Sequence, residues 1–424
     1  MTAPTIFALS SGRPPAGIAV IRISGPEAHD AGVALAGSLP GARTAAVREL
    51  RNPHTQETLD QALVLRFDAP ASATGENVVE LHCHGGRAVV DAVLKVLGTV
   101  ASLREAEPGE FTRRAFANGR IDLTEAEGLA DLIEAETEMQ RRAALAVAEG
   151  GLRRQIELWQ GRLLDLSAKA ERAIDYDEED EALDPALISG CTELAHELET
   201  WLDQPRAESL KHGVRVVVAG PPNVGKSSLI NAIAGDDRAI VTDVPGTTRD
   251  VIEVPMALDG IPILLTDTAG LRDSDDPVET IGIERAERLV SASEILLWLG
   301  ASDSRPPHGN FVQIAPKADL GAAIPSGAHA VSALTGEGLP ELKKLVVART
   351  RALLPSEDAI ALNRRQSELI AGANNAVREA AGQTDVVLLA EHLRQARDAF
   401  DRVTGRSGVE DLLDQLFGRF CLGK

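Results

Sequence analysis

The spacing of apolar positions changes several times along the chain, and each change predicts a different kind of element. In the first 118 residues the apolar runs are short and separated by turns. "AGIAVIRISG" (Ala16–Gly25), "QALVLRF" (Gln61–Phe67) and "ENVVELHCHGG" (Glu76–Gly86) predict strands. "RAVVDAVLKVLG" (Arg87–Gly98) predicts a helix ended by its glycine. From Asp122 the period lengthens. Thr124 and Glu127 suit a capping box, and Leu129 and Ile133 with neighbouring alanines form a helical stripe. Helical texture continues to about Leu210, broken by the acidic stretch "DYDEEDEALDP" (Asp175–Pro185), which reads as a solvated loop. Residues 213 to about 350 alternate strand and helix, the mark of a doubly wound sheet. From about 356 the helical period returns, with Leu388, Leu389, Leu393, Leu412, Leu413 and Leu416 supplying apolar faces.

This order predicts a multidomain α+β and α/β protein. An N-terminal α+β domain occupies 1–118. A helical domain is split into 119–212 and 353–424, with an α/β domain at 213–352 inserted into it. Insertion is physically easy because the two ends of a domain often lie close together. The chain has 44% hydrophobic but only 3% aromatic residues, so its cores are expected to be aliphatic. No apolar run approaches the roughly 20 residues that span a bilayer, and the N-terminus lacks a basic region followed by a long apolar segment. The three cysteines, Cys83, Cys191 and Cys421, are far apart and odd in number, which fits a reducing cytoplasm. The formal charge of −21 opposes general binding to nucleic acid, so work on RNA would require a basic partner or a local patch.

The strongest chemical signal is "RVVVAGPPNVGKSSLINAIAG". Gly220, Gly225, Lys226 and Ser227 satisfy G-x-x-x-x-G-K-[ST], after an apolar strand and before an amphipathic helix. Such a loop turns backbone N–H groups onto phosphates, and the helix N-terminus adds positive potential. Lys226 is expected at the β- and γ-phosphates and Ser227 on Mg²⁺. "DTAG" (Asp267–Gly270) follows another apolar run. There Asp267 can hold Mg²⁺ through water, and the Gly270 N–H can meet the γ-phosphate. "GTTRD" (Gly246–Asp250) offers Thr248 as a second Mg²⁺ ligand. The nucleotide is therefore expected to meet Asn223, Val224, Gly225, Lys226, Ser227 and Ser228 in the first loop. In the second it meets Thr242, Asp243, Val244, Pro245, Gly246, Thr247 and Thr248, and in the third Asp267, Thr268, Ala269 and Gly270.

"APKADL" (Ala315–Leu320) is a guanine-reading Asn-Lys-x-Asp pattern with Pro316 in place of the Asn. Asp319 can accept two hydrogen bonds from guanine, and adenine lacks those donors. Lys317 can lay its stem over the base. Pro316 has no polar side chain and no N–H, so guanine preference is expected to survive through Asp319 while affinity falls. "SAL" (Ser332, Ala333, Leu334) suits a neighbouring base-contact loop. Where Ras-like GTPases place a water-orienting Gln, this chain has Leu271. Another group must act, and the Asn223 carbonyl oxygen, beside the β- and γ-phosphates, could help hold a monovalent cation.

"GPPNVGKSSLINAIAG", "VTDVPGTTRDV", "DTAGLRDSDDPVETIGIERA", "PGEFTRRAFANGRIDLTEAEGLADLIEA" and the terminal "CLGK" together resemble the MnmE (TrmE) family of tRNA-modification GTPases, over essentially the whole chain. The resemblance implies an N-terminal folate-binding domain, a helical domain and an inserted Ras-like G domain. It implies a potassium-activated GTPase whose G domains meet across a homodimer. Potassium would be held by Asn223, Thr242, Val244 and Thr247, magnesium by Ser227 and Thr248, and Glu279 would help position water. It further implies an FAD-containing MnmG-type partner in a heterotetramer. A one-carbon unit from 5-formyl- or methylene-tetrahydrofolate would then go to carbon 5 of a tRNA wobble uridine. Arg22, Glu80, Arg120 and Lys424 match the folate-contact positions, and Cys421 is a candidate reactive thiol. Two departures stand out: Pro316, and a short segment between the strand around Leu297 and the base loop, which is expected to shift that loop or remove a surface element. Two other readings stay open at this point: a ribosome-assembly GTPase, which would need a basic RNA-binding appendage, and a nucleotide-dependent scaffold with weak turnover.

Overall fold

The structure is a computed structural model, and it describes residues 4–175, 184–235, 252–268, 287–321, 324–356, 359–408, 410–418, 420 and 423. The chain divides into two compact units, Met1–Ala130 with Asp401–Lys424, and Asp131–Phe400.

The first unit is built on a six-stranded sheet of order β3-β4-β5-β2-β1-β6. Its strands are β1 (Thr5–Leu9), β2 (Ile18–Ser24), β3 (Ala46–Arg51), β4 (Thr58–Phe67), β5 (Val78–His84) and β6 (Leu103–Glu105). All neighbours are antiparallel except β1 with β6. Alternation sends Ile21, Ile23, Val79 and Leu81 into one core, where α1 (Ala28–Ala36) brings Leu35 and α2 (Arg87–Leu97) brings Val93, Val96 and Leu97. Ile6, Ala8, Ala106 and Phe111 form a separate cluster, Phe111 coming from α3 (Glu110–Ala117).

The helix α4 (Leu123–Glu134) is capped two residues earlier than Thr124 and Glu127 suggest. Asp122 accepts from the Glu125 N–H (2.8 Å), and the Glu125 carboxylate accepts from the Asp122 N–H (2.7 Å). Thr124 is fully buried and donates to Asp122 (2.7 Å), so it serves the cap from inside the first turn. The stripe is narrower than expected as well: Leu123, Ala126 and Ala130 are buried, whereas Ile133 is 41% exposed.

In the second unit, α5 (Glu138–Ala148), α6 (Gly151–Asp175), α7 (Pro185–Leu202) and α8 (Ala207–His212) precede the α/β sheet. That sheet has order β12-β11-β10-β7-β9-β8. It comprises β7 (Val214–Ala219), β8 (Ile252–Leu258), β9 (Ile261–Asp267), β10 (Ile295–Trp298), β11 (Phe311–Pro316) and β12 (His329–Val331), parallel except for the β8–β9 hairpin. One face packs on α9 (Lys226–Ala234) and α10 (Leu339–Arg351) through Leu229, Ile230, Ile233, Leu342 and Val346. The helices α11 (Arg364–Ala381) and α12 (Val386–Thr404) follow, and α11 packs along α7. Trp159 of α6 stacks on Phe400 of α12 at 5.8 Å and meets Trp201 of α7 edge-on at 5.2 Å. Helices from before and after the sheet thus share one core. Leu389 and Leu393 of α12 are buried, while Leu388 is 51% exposed and stands off that face.

Candidate functional site

In the α/β domain, β7 is flanked by β9 on one side and β10 on the other, so the strand order reverses there. Ligands of open α/β sheets bind beyond the carboxyl ends of strands at such a switch point. The predicted phosphate loop leaves β7 at that end. Gly220 (φ +155°) has Leu299 where a side chain would stand, and Gly225 (φ +108°) opens α9 in a conformation that strains any other residue. Asn223 also has positive φ (+57°) and lies exposed on the loop.

Lys226 is 6% exposed, with its ammonium donating to the carbonyls of Gly220 (3.0 Å) and Pro221 (2.8 Å). Ser227 donates to Asp267 at 2.7 Å, joining the start of α9 to the end of β9. A hydroxyl and a carboxylate oxygen converging beside a phosphate loop form a donor set suited to a hard cation such as Mg²⁺. Thr268 is buried and donates to the Val218 carbonyl (3.0 Å), which fixes the chain leaving β9.

The base loop leaves β11, whose last residue, Pro316, is the register partner of Val331 on β12. The short connection from β10 does not keep this loop from the nucleotide site. Pro316, Lys317, Asp319, Ser332, Ala333 and Leu334 line one cavity of about 340 Å³ together with Val224, Gly225, Ser228 and Leu229. Lys317 takes a left-handed conformation (φ +58°), and its ammonium lies 3.4 Å from the Asn223 carbonyl. Ser332 is fully buried. It donates to Asp319 (2.6 Å) and accepts from the Thr335 N–H (3.2 Å). Asp319 itself is exposed. A purine seated over it would supply the burial that makes an unmatched carboxylate costly.

The folate-contact candidates divide. Arg22 and Glu80 are direct register partners on β2 and β5, paired through Nε (3.0 Å) and Nη2 (2.8 Å) onto one carboxylate oxygen. Both are largely buried side chains, at 24% and 17% exposure. Two further members of this cluster were not picked out from the sequence. His82 Nε2 lies 3.2 Å from the second Glu80 oxygen, and the Phe111 ring lies 5.7 Å from the Arg22 guanidinium. His82 follows from strand alternation, and Phe111 comes from α3 within "PGEFTRRAF", where the motif alone does not show that it meets Arg22. A carboxylate, a cation and an imidazole together offer the donors and acceptors a pterin edge requires. Arg120 is exposed and runs past Gly75, where a Cβ would stand 3.2 Å from its Cγ.

The thiols Cys83 and Cys191 are buried, which pushes them up to about 12 and about 11, Cys83 further by the Asp60 charge. They are not nucleophiles at neutral pH. The remaining candidates, Thr242, Asp243, Val244, Pro245, Gly246, Thr247, Thr248, Ala269, Gly270, Glu279, Cys421 and Lys424, lie outside the described residues.

Gly423 of the terminal "CLGK" is described and shows why that motif holds a glycine. Its φ is +91°, and a Cβ there would collide with the Leu9 carbonyl at the end of β1. Gly109 of "PGEFTRRAF" plays the matching part at φ +70°, where a Cβ would strike the Phe417 carbonyl at the end of α13 (Glu410–Phe417). Gly109 and Gly423 therefore bring the C-terminal segment close against α3 and the end of β1 within the first unit.

Comparison with known proteins agrees with this arrangement. The pattern described as "GTP-binding protein TrmE N-terminus" matches residues 5–120, and "MnmE helical domain" matches 123–421. The chain is similar to the tRNA modification GTPase MnmE of Erythrobacter litoralis, with 52% identity over 99% of this chain and 100% of that one. It is also similar to those of Novosphingobium aromaticivorans (50%, 99% of each) and Zymomonas mobilis (50%, 99% and 100%). With full-length kinship and the phosphate loop, Ser227–Asp267 pair and base cavity in place, the chain belongs to the MnmE (TrmE) family of tRNA modification GTPases.

Proposed function

We propose that the chain is a potassium-activated GTPase acting as a homodimer with an FAD-containing partner of the MnmG type. Together they place an aminomethyl- or carboxymethylaminomethyl-type group on carbon 5 of the tRNA wobble uridine, with the one-carbon unit drawn from a tetrahydrofolate. The supporting observation is the presence in one chain of two separate polar sites, the phosphate loop with its Ser227–Asp267 pair and the Arg22–Glu80–His82 cluster on a different sheet.

In the G domain, backbone N–H groups between Gly220 and Ser227 wrap the phosphates and Lys226 offers its charge to the β- and γ-phosphates. Ser227 and Thr248 would hold magnesium directly, with Asp267 acting through water. Magnesium supplies charge screening between the phosphate oxygens. Asn223, Thr242, Val244 and Thr247 would hold potassium, which supplies positive charge where other GTPases use an arginine finger. Glu279 orients the attacking water, since Leu271 has no polar group to do so. Asp319, fixed by Ser332, reads the guanine edge. In the first unit, Glu80 accepts from the pterin's amino edge, and Arg22, Arg120 and Lys424 meet its carbonyl and carboxylates. Cys421 is the remaining candidate thiol. With a charge of −21, the tRNA is held mainly by the partner, in the cytoplasm.

Three measurements test this reading. GTP hydrolysis should be faster in potassium than in sodium, and equal rates remove the role given to Asn223. A reduced tetrahydrofolate should bind the full chain and lose affinity in Arg22→Ala. Nucleoside analysis of tRNA from cells lacking the protein should show loss of the wobble modification, and an unchanged profile overturns the proposal.

A further inference from the structure

We propose that the nucleotide cavity reads guanine's N1–H and 2-amino edge through Asp319 and is blind to N7. The inference rests on the reading of Asp319 given above and extends it to the opposite side of the base.

Guanine offers donors at N1 and N2 and acceptors at O6 and N7. The donor edge has a dedicated partner. Asp319 is held by the Ser332 hydroxyl at 2.6 Å, and that hydroxyl is itself oriented by the Thr335 N–H at 3.2 Å. An acceptor such as N7 needs an N–H or O–H from the wall. In an Asn-Lys-x-Asp loop the first residue supplies an amide N–H. Here that position is Pro316, which has neither a side-chain donor nor a backbone N–H. Its neighbours on the wall, Ile314, Val331 and Leu229, are apolar and buried.

Among the described residues, three side chains on the cavity carry donors. Ser332 has its proton committed to Asp319. Lys317 points its ammonium at the Asn223 carbonyl. Ser228 stands exposed on the first turn of α9, beside the phosphate loop. N7 is thus expected to enter the cavity against an apolar surface and to contribute nothing to affinity.

The test is an equilibrium competition on the full chain against a fluorescent GDP, using GDP, 7-deaza-GDP and IDP. Replacing N7 by C–H should leave affinity unchanged within about twofold. A functioning hydrogen bond at N7 would instead be worth roughly three- to tenfold. IDP lacks the 2-amino group and should bind at least about tenfold more weakly than GDP. In Pro316→Asn, GDP should gain over 7-deaza-GDP by roughly fivefold. A wild-type preference for GDP above about twofold overturns the proposal and directs attention to Ser228. A Pro316→Asn protein that still ignores N7 overturns the assignment to residue 316. If IDP binds as tightly as GDP, the reading of Asp319 itself fails, and that result is separable from the N7 ratio.

Discussion

Arg114 is the residue whose loss should tell most about the first unit. Arg114, one of the two arginines in "TRRAF", is 8% exposed. It donates to both oxygens of Glu76 (3.0 and 3.1 Å), to Glu110 (2.9 Å) and to the Pro4 carbonyl (2.8 Å). It thereby ties α3 to the segment before β1 and to the loop before β5. Breaking a buried ion pair typically costs about 3–5 kcal/mol. In Arg114→Met the damage is limited at one end, because Glu110 keeps Arg104 (2.6 and 2.7 Å) and the Glu107 N–H (2.9 Å). Among the described residues, Glu76 keeps the bond that Ser24 donates to its carboxylate (2.7 Å). The lower end, about 3 kcal/mol, is therefore expected. For a unit of this size that lowers the unfolding temperature by roughly 6–12 °C. Acid should narrow the gap. Burial alone would raise the Glu110 pKa, but hydrogen bonds from Arg104, Glu107 and Arg114 hold it below its ordinary value of 4.5. A carboxylate depressed in this way stabilises the fold above its unfolded pKa and loses that contribution as pH falls through the depressed value. Calorimetry of the full chain at pH 7 and at steps below 4.5 measures both effects. A shift under about 2 °C at pH 7, or a gap that widens in acid, would refute the network as described.

Other outcomes follow from single features. Gly109→Ala should destabilise the chain by at least about 1–2 kcal/mol, because positive φ and the Phe417 carbonyl both oppose a Cβ; an unchanged urea midpoint would show that the contact yields freely. Lys226→Ala should lower GTP turnover by roughly 10²-fold or more with the far-ultraviolet spectrum unchanged, and near-normal turnover would remove Lys226 from the phosphate site. A thiol reagent at pH 8 should find at most one reactive cysteine in the native chain and three after urea, since Cys83 and Cys191 are buried with raised pKa values. Early labelling of either would contradict their burial.

The phosphate site was legible because its parts are contiguous: strand, loop and helix stand in one run of sequence, and the loop's conformation depends on its own glycines. Asp319 and Ser332 were legible for the same reason, although their mutual bond was not. What escaped was what depends on distant neighbours. His82 joins Glu80 only because strand alternation points both the same way, and Arg114 is buried only because Glu76 and Glu110 come to meet it. The strands β1, β3 and β6 were missed because they are short or nearly polar; β3 buries only Leu50 of its six residues. At α4 the cap is Asp122 with Glu125 rather than the expected Thr124 with Glu127. Burial of Thr124 decided between them, and that is set by packing rather than by local pattern.

The contact of Gly423 with Leu9 has a consequence for how the molecule is made. These residues are separated by nearly the whole polypeptide, with the GTP-cleaving insertion lying between them. On the ribosome the strands β1–β6 emerge long before Gly423 does. The contact therefore forms only after the intervening α/β domain has been made, and long-range closure of this kind is slow. A chain without Gly423 would lose this close approach at the Leu9 carbonyl, while β1 itself stays paired with β2 and β6.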